Sequence, residues 1–295
     1  MTPTATPPQS NLKLGTFWML LSLVGYSFNT LVIGRLTGGT VHVGPWTAMM
    51  LRGVVGLITV QVLAPGVLRS GWKRLFTQRL MLERGFIGSL GIVGLYYTLA
   101  PLGPGKATLI NNSWAVFAAL MATVLLKEKL GWARMLGLLV TFSGLALLLG
   151  VGWDLLTTVS FFEWLALLGA LFSAIAVIAI RQLSATETSA LIFASQCVYC
   201  FLIGLPLSLA ELPLMTSSQW TWLTVAAVAV SLAQLAMTEG FRYLTVAAGG
   251  TFQMGLPLVI ATLSVVWFGE TFTSLQLVGA ACILIGSLMT VLIRR

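Results

Sequence analysis

Ten apolar windows recur along this chain, each close to the length that crosses a bilayer, and that pattern removes most folds from consideration. A helix rising 1.5 Å per residue needs about 20 mostly apolar residues to traverse the hydrocarbon core. The windows lie at residues 14–35, 44–64, 85–102, 106–126, 131–151, 162–180, 188–210, 220–238, 246–268 and 275–293. Only 8% of residues are charged, against about 25% in an ordinary globular domain. A soluble fold could not clothe its surface with so few charges, so the missing surface must face lipid. The expected class is an all-α integral membrane protein with ten transmembrane helices.

Residues 1–13 are polar and rich in Pro and Thr, which predicts a disordered N-terminal segment. The apolar run that follows is too long for a signal peptide and lacks a cleavage pattern. Gly103, Pro104 and Gly105 leave room only for a tight turn, so the third and fourth spans must form an antiparallel hairpin.

Lys and Arg concentrate on the cytoplasmic side of membranes. With the N-terminus inside, the inner segments hold Lys13, then Arg69, Lys73, Arg74, Arg79 and Arg84, then Lys127, Lys129 and Arg134, then Arg181, Arg242, Arg294 and Arg295. The outer side holds Arg35 and Lys106, and Arg52 lies within a span. This bias predicts cytoplasmic termini and a multi-pass protein of the inner (plasma) membrane. The net charge of +8 is then directed at anionic headgroups of the lipid bilayer rather than at nucleic acid.

An internal repeat organises the windows. Residues 97–149 align without a gap on 239–291, placing Glu128 on Glu270, Gly137 on Gly279 and Gly144 on Gly286. The paired glycines stand two turns apart, share a face and permit close helix approach. Five spans per half is an odd number, so the second half must sit inverted relative to the first. The division reads as a first five-helix repeat at 14–151, a connection at 152–161 and a second repeat at 162–295. Inverted repeats characterise transporters whose sites lie near the midplane.

Polar residues inside spans are costly unless they face a partner or a pathway. The first span offers Ser22, Tyr26 and Asn29; the third, Tyr96 and Tyr97; the fourth, Asn111, Asn112 and Trp114. Tyr199 stands in the seventh, Ser231 and Gln234 in the eighth, and Gln253 and Pro257 in the ninth. Asn111 and Gln253 are repeat mates, so inversion would place them at opposite depths of one path; interhelical hydrogen bonding is the competing role. Arg52, well inside the second span, could meet a substrate carboxylate, reach outward to headgroups or pair with a backbone carbonyl. Glu239 and Arg242 close the eighth span and are candidates for a gate or for a local ion pair.

Catalytic and cofactor chemistry has no sequence basis here. No Asp or Glu lies mid-span, His42 is the lone histidine, and Cys197 and Cys200 have no flanking metal ligands. A phosphate-binding loop and a nucleophile set are also missing. The expectation is a protein that is not an enzyme and needs no cofactor or metal.

The stretches from Leu125 to Gly144 and from Phe268 to Gly286, each with its acidic residue and paired glycines, resemble the ends of the halves in EamA-type proteins of the drug/metabolite transporter superfamily. Within that superfamily the chain is similar to YddG-type amino-acid exporters. The resemblance implies ten helices, cytoplasmic termini, and secondary transport without ATP. Family members often carry Pro in the last-but-one helix of each half; Pro257 fills the second position, but Ala115 stands at the first, so a symmetric hinge is not implied. The expected function is alternating-access movement of small amphipathic metabolites, amino acids foremost, with export as the direction and a monomer as a compatible state. An uncoupled facilitator and a lipid-binding scaffold are the alternatives.

Overall fold

Backbone in hydrocarbon has no water to bond, so an apolar segment must satisfy its N–H and C=O groups within its own helix. The computed structural model follows that rule. It describes residues 12–38, 43–125, 132–149, 159–183, 186–243, 252–253 and 255–292, and every regular element among them is helical. In chain order the helices are α1 (Leu12–Thr37), α2 (Pro45–Leu63), α3 (Val67–Thr77), α4 (Arg79–Leu102), α5 (Pro104–Asn111), α6 (Trp114–Leu125), α7 (Trp132–Leu149), α8 (Phe161–Leu183), α9 (Ser189–Ser208), α10 (Ser217–Tyr243), α11 (Gly255–Phe268) and α12 (Ser274–Leu292). Six of these, α1, α2, α4, α8, α9 and α10, are long and apolar enough to cross a membrane, and shorter apolar helices accompany them.

Three details depart from the expected windows. The third window begins earlier: α4 starts at Arg79 and carries one π-helical turn at Glu83–Ile87, which draws Arg84 into the bundle. The fourth window is broken between α5 and α6. Asn, Asn and Ser compete with the helical backbone through their own side chains, and the Ser113 hydroxyl donates to Ile110 O at 2.7 Å while Val116 N–H starts the new helix on Ser113 O. Finally, the basic connection after α2 is itself a helix. On α3 the buried Gly71 and Leu75 face inward, whereas Trp72, Lys73, Arg74 and Phe76 are exposed.

Glycine sets the closest helix contacts. Gly91 and Gly94 of α4 meet Ser173 and the backbone of Gly169 on α8, and Gly53 and Gly56 of α2 meet Cys197 and Phe201 on α9. The two glycine pairs expected from the repeat meet each other crosswise. Gly144 lies against the backbone of Gly279, and Gly286 against the backbone of Gly137, so α7 and α12 run antiparallel in contact along their lengths. A side chain at Gly144, Gly279 or Gly286 would strike backbone. Around the outside, Val24, Ile58, Val62, Leu139, Leu202 and Val266 stand exposed, an apolar surface suited to acyl chains.

Helix starts in the second half are closed by reciprocal capping boxes. Ser160 with Glu163 opens α8, Thr216 with Gln219 opens α10, and Thr273 with Gln276 opens α12. Carboxylates of that half also cap helices of the first, where unpaired N–H groups and the helix dipole favour negative charge. Glu211 accepts from Gly44 N–H at 2.9 Å and from the Thr47 hydroxyl at the start of α2. Glu270 accepts from Gly105 N–H at 3.0 Å at the start of α5. Glu163 meets Lys106 at 2.6 Å.

Candidate functional site

Residues four and three apart stack on one face of a helix, and on α1 that face carries Ser22, Tyr26 and Asn29. Over about 10 Å these three side chains each reach a different partner. Gln253 donates to the Ser22 hydroxyl at 3.0 Å. The Tyr26 hydroxyl donates to Gln234 Oε1 on α10 at 2.7 Å. Asn29 donates to Ala226 O on α10 at 3.2 Å and accepts from the Tyr96 hydroxyl on α4 at 3.1 Å. Arg52 on α2 then donates to the Tyr96 oxygen at 3.2 Å. One helix of the first half is thus the spine of a polar column that draws in α2, α4, α10 and the residues just before α11.

Close packing makes the column possible. Gly25 of α1 seats the Ala229 backbone and the Ala233 side chain of α10, so the two helices approach closely and the polar groups between them bond directly. Ser231 on α10 is fully buried and donates to Ala227 O at 2.7 Å, one turn from Gln234.

A second polar group adjoins the first. Arg84 of α4 donates to Gln196 Oε1 of α9 at 2.6 Å. Ser89, which donates to Gly85 O at 2.7 Å, lies 3.2 Å from the Cys200 sulfur. Arg84 and Arg52 are both buried, and among the described residues neither pairs with a carboxylate. Gln196 stands one turn from Tyr199 in the seventh window and is marked by its polarity there, whereas Arg84 reads in the sequence as the headgroup-facing end of a basic cluster. The usable signal was the run Gly85, Gly88, Gly91 and Gly94, whose constant spacing marks a packed helix face beginning beside it.

The remaining expected site residues lie elsewhere. Tyr97 packs edge-on against Trp46, with ring centroids 5.8 Å apart. Tyr199 donates to Leu75 O at 3.4 Å and packs with Phe76 and Phe86, near α3. Asn111 and Asn112 sit at the break between α5 and α6; the Asn111 Oδ1 is buried without a hydrogen-bond partner among the described residues, and no described bond joins it to the column. Trp114 follows the break and is partly buried. Pro257 is buried in the first turn of α11. Glu239 is partly buried near the end of α10, while the side chain of Arg242 falls outside the described residues, as do His42, Glu128 and Ala115's side chain. The polar residues joined in these two groups therefore come from α1, α2, α4, α9 and α10 with Gln253.

Cys197 and Cys200 are buried, and no group of His, Cys, Asp or Glu among the described residues could hold a metal ion. At the end of the bundle, burial pushes the Glu270 carboxyl above its ordinary value, and the N–H groups of Gly105 and Lys106 offset part of that rise.

Comparison with known proteins follows the same two-part division. A family model described as the EamA-like transporter family matches residues 13–150 and again residues 160–292. A solved crystal structure superposes with a TM-score of 0.59 at 18% identity, over 96% of this chain and 98% of its own, a likeness of fold. No curated protein matches.

Proposed function

The chain belongs to the EamA-like transporter family, and from that premise we propose that it is a secondary carrier that moves small amphipathic metabolites, amino acids foremost, out of the cell by alternating access. The observation that carries this reading is the polar column itself. Ser22, Tyr26, Asn29, Arg52, Tyr96, Gln234 and Gln253 join inside a largely apolar bundle, and they come from both halves of the chain. Polar groups gathered at membrane depth are the usual mark of a substrate route.

In this reading α5 with α6 forms one span, and α7, α11 and α12 are spans beside the six long helices, making ten. The repeats are 14–151 and 162–295, joined by 152–161, and the termini face the cytoplasm of a cell bounded by this inner membrane. The amphipathic, basic α3 supports that orientation: Trp72 and Phe76 would lie at the headgroup boundary with Lys73 and Arg74 beside anionic lipid. The antiparallel α7–α12 contact supports a mechanism in which the halves rock about a packed pivot. Asn111 and Asn112, at a helix break, extend the route beyond the column; Glu239 with Arg242 is its cytoplasmic gate. Export and the YddG-type likeness rest on the resemblance of the helix ends. The working unit is a monomer that needs no cofactor.

Purified protein in liposomes preloaded with unlabelled amino acids is the test. A carrier gives saturable uptake accelerated by substrate on the opposite side. Flux linear in concentration, with no exchange over a broad metabolite panel, contradicts the reading and favours a facilitator or a lipid-binding scaffold.

A further inference from the structure

Arg52 and Arg84 put two guanidinium charges inside the bundle, and among the described residues no acid pairs with either. They are 7% and 3% exposed. The chain has eight acidic residues, and none of the described ones makes an ion pair with either arginine. Glu83 pairs with Arg79, Glu163 with Lys106 and Glu187 with Arg74, while Glu211 and Glu270 cap helix starts and Glu239 stands near the end of α10. Each guanidinium carries five N–H donors. Among the described residues each makes one hydrogen bond, Arg52 to Tyr96 and Arg84 to Gln196, and the Arg84 Nε–H is buried with no acceptor.

The two arginines flank the same helix. Gly53 and Gly56 bring α2 onto one side of α9 at Cys197 and Phe201, and Gly85 and Gly88 bring α4 onto the other at Ser195, Tyr199 and Gln196. Gln196 holds Arg84. Cys200, one turn further along α9 or about 6 Å, lies within electrostatic reach of both arginines, and they lie within reach of each other. Like charges held together away from water are costly unless an anion joins them.

We propose that Arg52 and Arg84 are the paired anchors of a binding site for a small organic acid carrying two anionic groups. This deepens the carrier reading by naming the substrate class, and rests on it only for the transport step. A neutral zwitterion would satisfy one guanidinium, leave the other uncompensated and bring its own ammonium towards two positive charges. A dicarboxylate, an acidic amino acid or a phosphate monoester supplies charge to both.

The test uses the full chain in two ways. Thermal stabilisation of the detergent-solubilised protein is measured with succinate, glutamate, glycerol 3-phosphate and leucine, and counterflow of the same compounds is measured in proteoliposomes. One or more of the doubly anionic compounds stabilises and exchanges at lower concentration than leucine, and which of the three does so identifies the acid groups. Arg84→Gln raises the half-saturating concentration of that compound about ten- to a hundredfold, as expected for one lost charge-assisted hydrogen bond, and Arg84→Lys restores part of it. Leucine acting at lower concentration than every dianion overturns the proposal, as does an Arg84→Gln variant with unchanged dianion affinity. The wild-type comparison decides the matter even where the variants fail to fold. Dianion binding without exchange removes the carrier reading and leaves the site, whereas exchange of neutral amino acids without dianion binding does the reverse.

Discussion

The Tyr26 hydroxyl donates to Gln234 Oε1 at 2.7 Å, tying the first helix of one half to the third helix of the other at the middle of the polar column. The bond joins two elements that an alternating carrier must move past each other, so its loss should register in transport before it registers in stability. Interhelical hydrogen bonds in one measured membrane protein average only about 0.6 kcal/mol. Tyr26→Phe should therefore leave the melting temperature in detergent within a few degrees of wild type while lowering the exchange rate severalfold. Equal loss in both would assign the pair a purely structural role.

Gln253 and Asn111 separate the column from its proposed extension. Gln253→Leu removes the bond to Ser22 and should cut exchange strongly. Asn111→Ala removes a buried oxygen that has no partner among the described residues, so stability should hold or rise while exchange falls. Normal exchange in Asn111→Ala would confine the route to the column.

Glu270 gives the fold a pH dependence of defined sign. Burial raises its carboxyl, so the folded chain holds that proton more tightly than the unfolded chain does. The resulting stabilisation is complete below the ordinary carboxylate pKa and is lost as pH rises through the higher folded value. Melting temperature should accordingly fall as pH climbs through and just above the carboxylate range, and Glu270→Gln should flatten that slope. Glu270→Ala should flatten the slope as well and in addition cost about 1–3 kcal/mol, because the Gly105 N–H loses its acceptor. A scan in which Glu270→Gln keeps the full slope would place the titration elsewhere.

Gly144 and Gly279 test the α7–α12 contact. A side chain at either would meet backbone of the opposite helix. Overpacking typically costs about 1–3 kcal/mol, so Gly144→Leu and Gly279→Leu should each lower the melting temperature by several degrees, whereas Leu139→Ala, on the exposed face, should change it little. Wild-type melting in both glycine variants would mean the helices can separate freely.

The helical, membrane-spanning class was legible because length and apolarity alone decide it, and the Gly137, Gly144, Gly279 and Gly286 spacing announced a close contact whose crosswise pairing only the fold revealed. The column was partly legible: Tyr26, Asn29, Arg52, Tyr96, Gln234 and Gln253 stand out as polar residues in apolar runs, but a sequence does not say which of them face each other. Tyr97 and Tyr199 share that signature and pack away from the column. Arg84 was hidden, since a window of about 20 apolar residues is filled without the extra turns that carry it inward. The helix break at Ser113 was hidden too, because hydropathy averages over three polar residues that the backbone treats as a stop.

Ser231 offers the most direct measurement of the central claim. It is fully buried one turn from Gln234, and cysteine nearly matches it in size. In a chain with Cys197, Cys200 and Cys282 replaced by Ser, Ser231→Cys should react with a membrane-impermeant thiol reagent added to either face of oriented vesicles, and transported substrate should slow both reactions. Labelling from one face only, or from neither while the denatured protein labels fully, would contradict alternating access through the column.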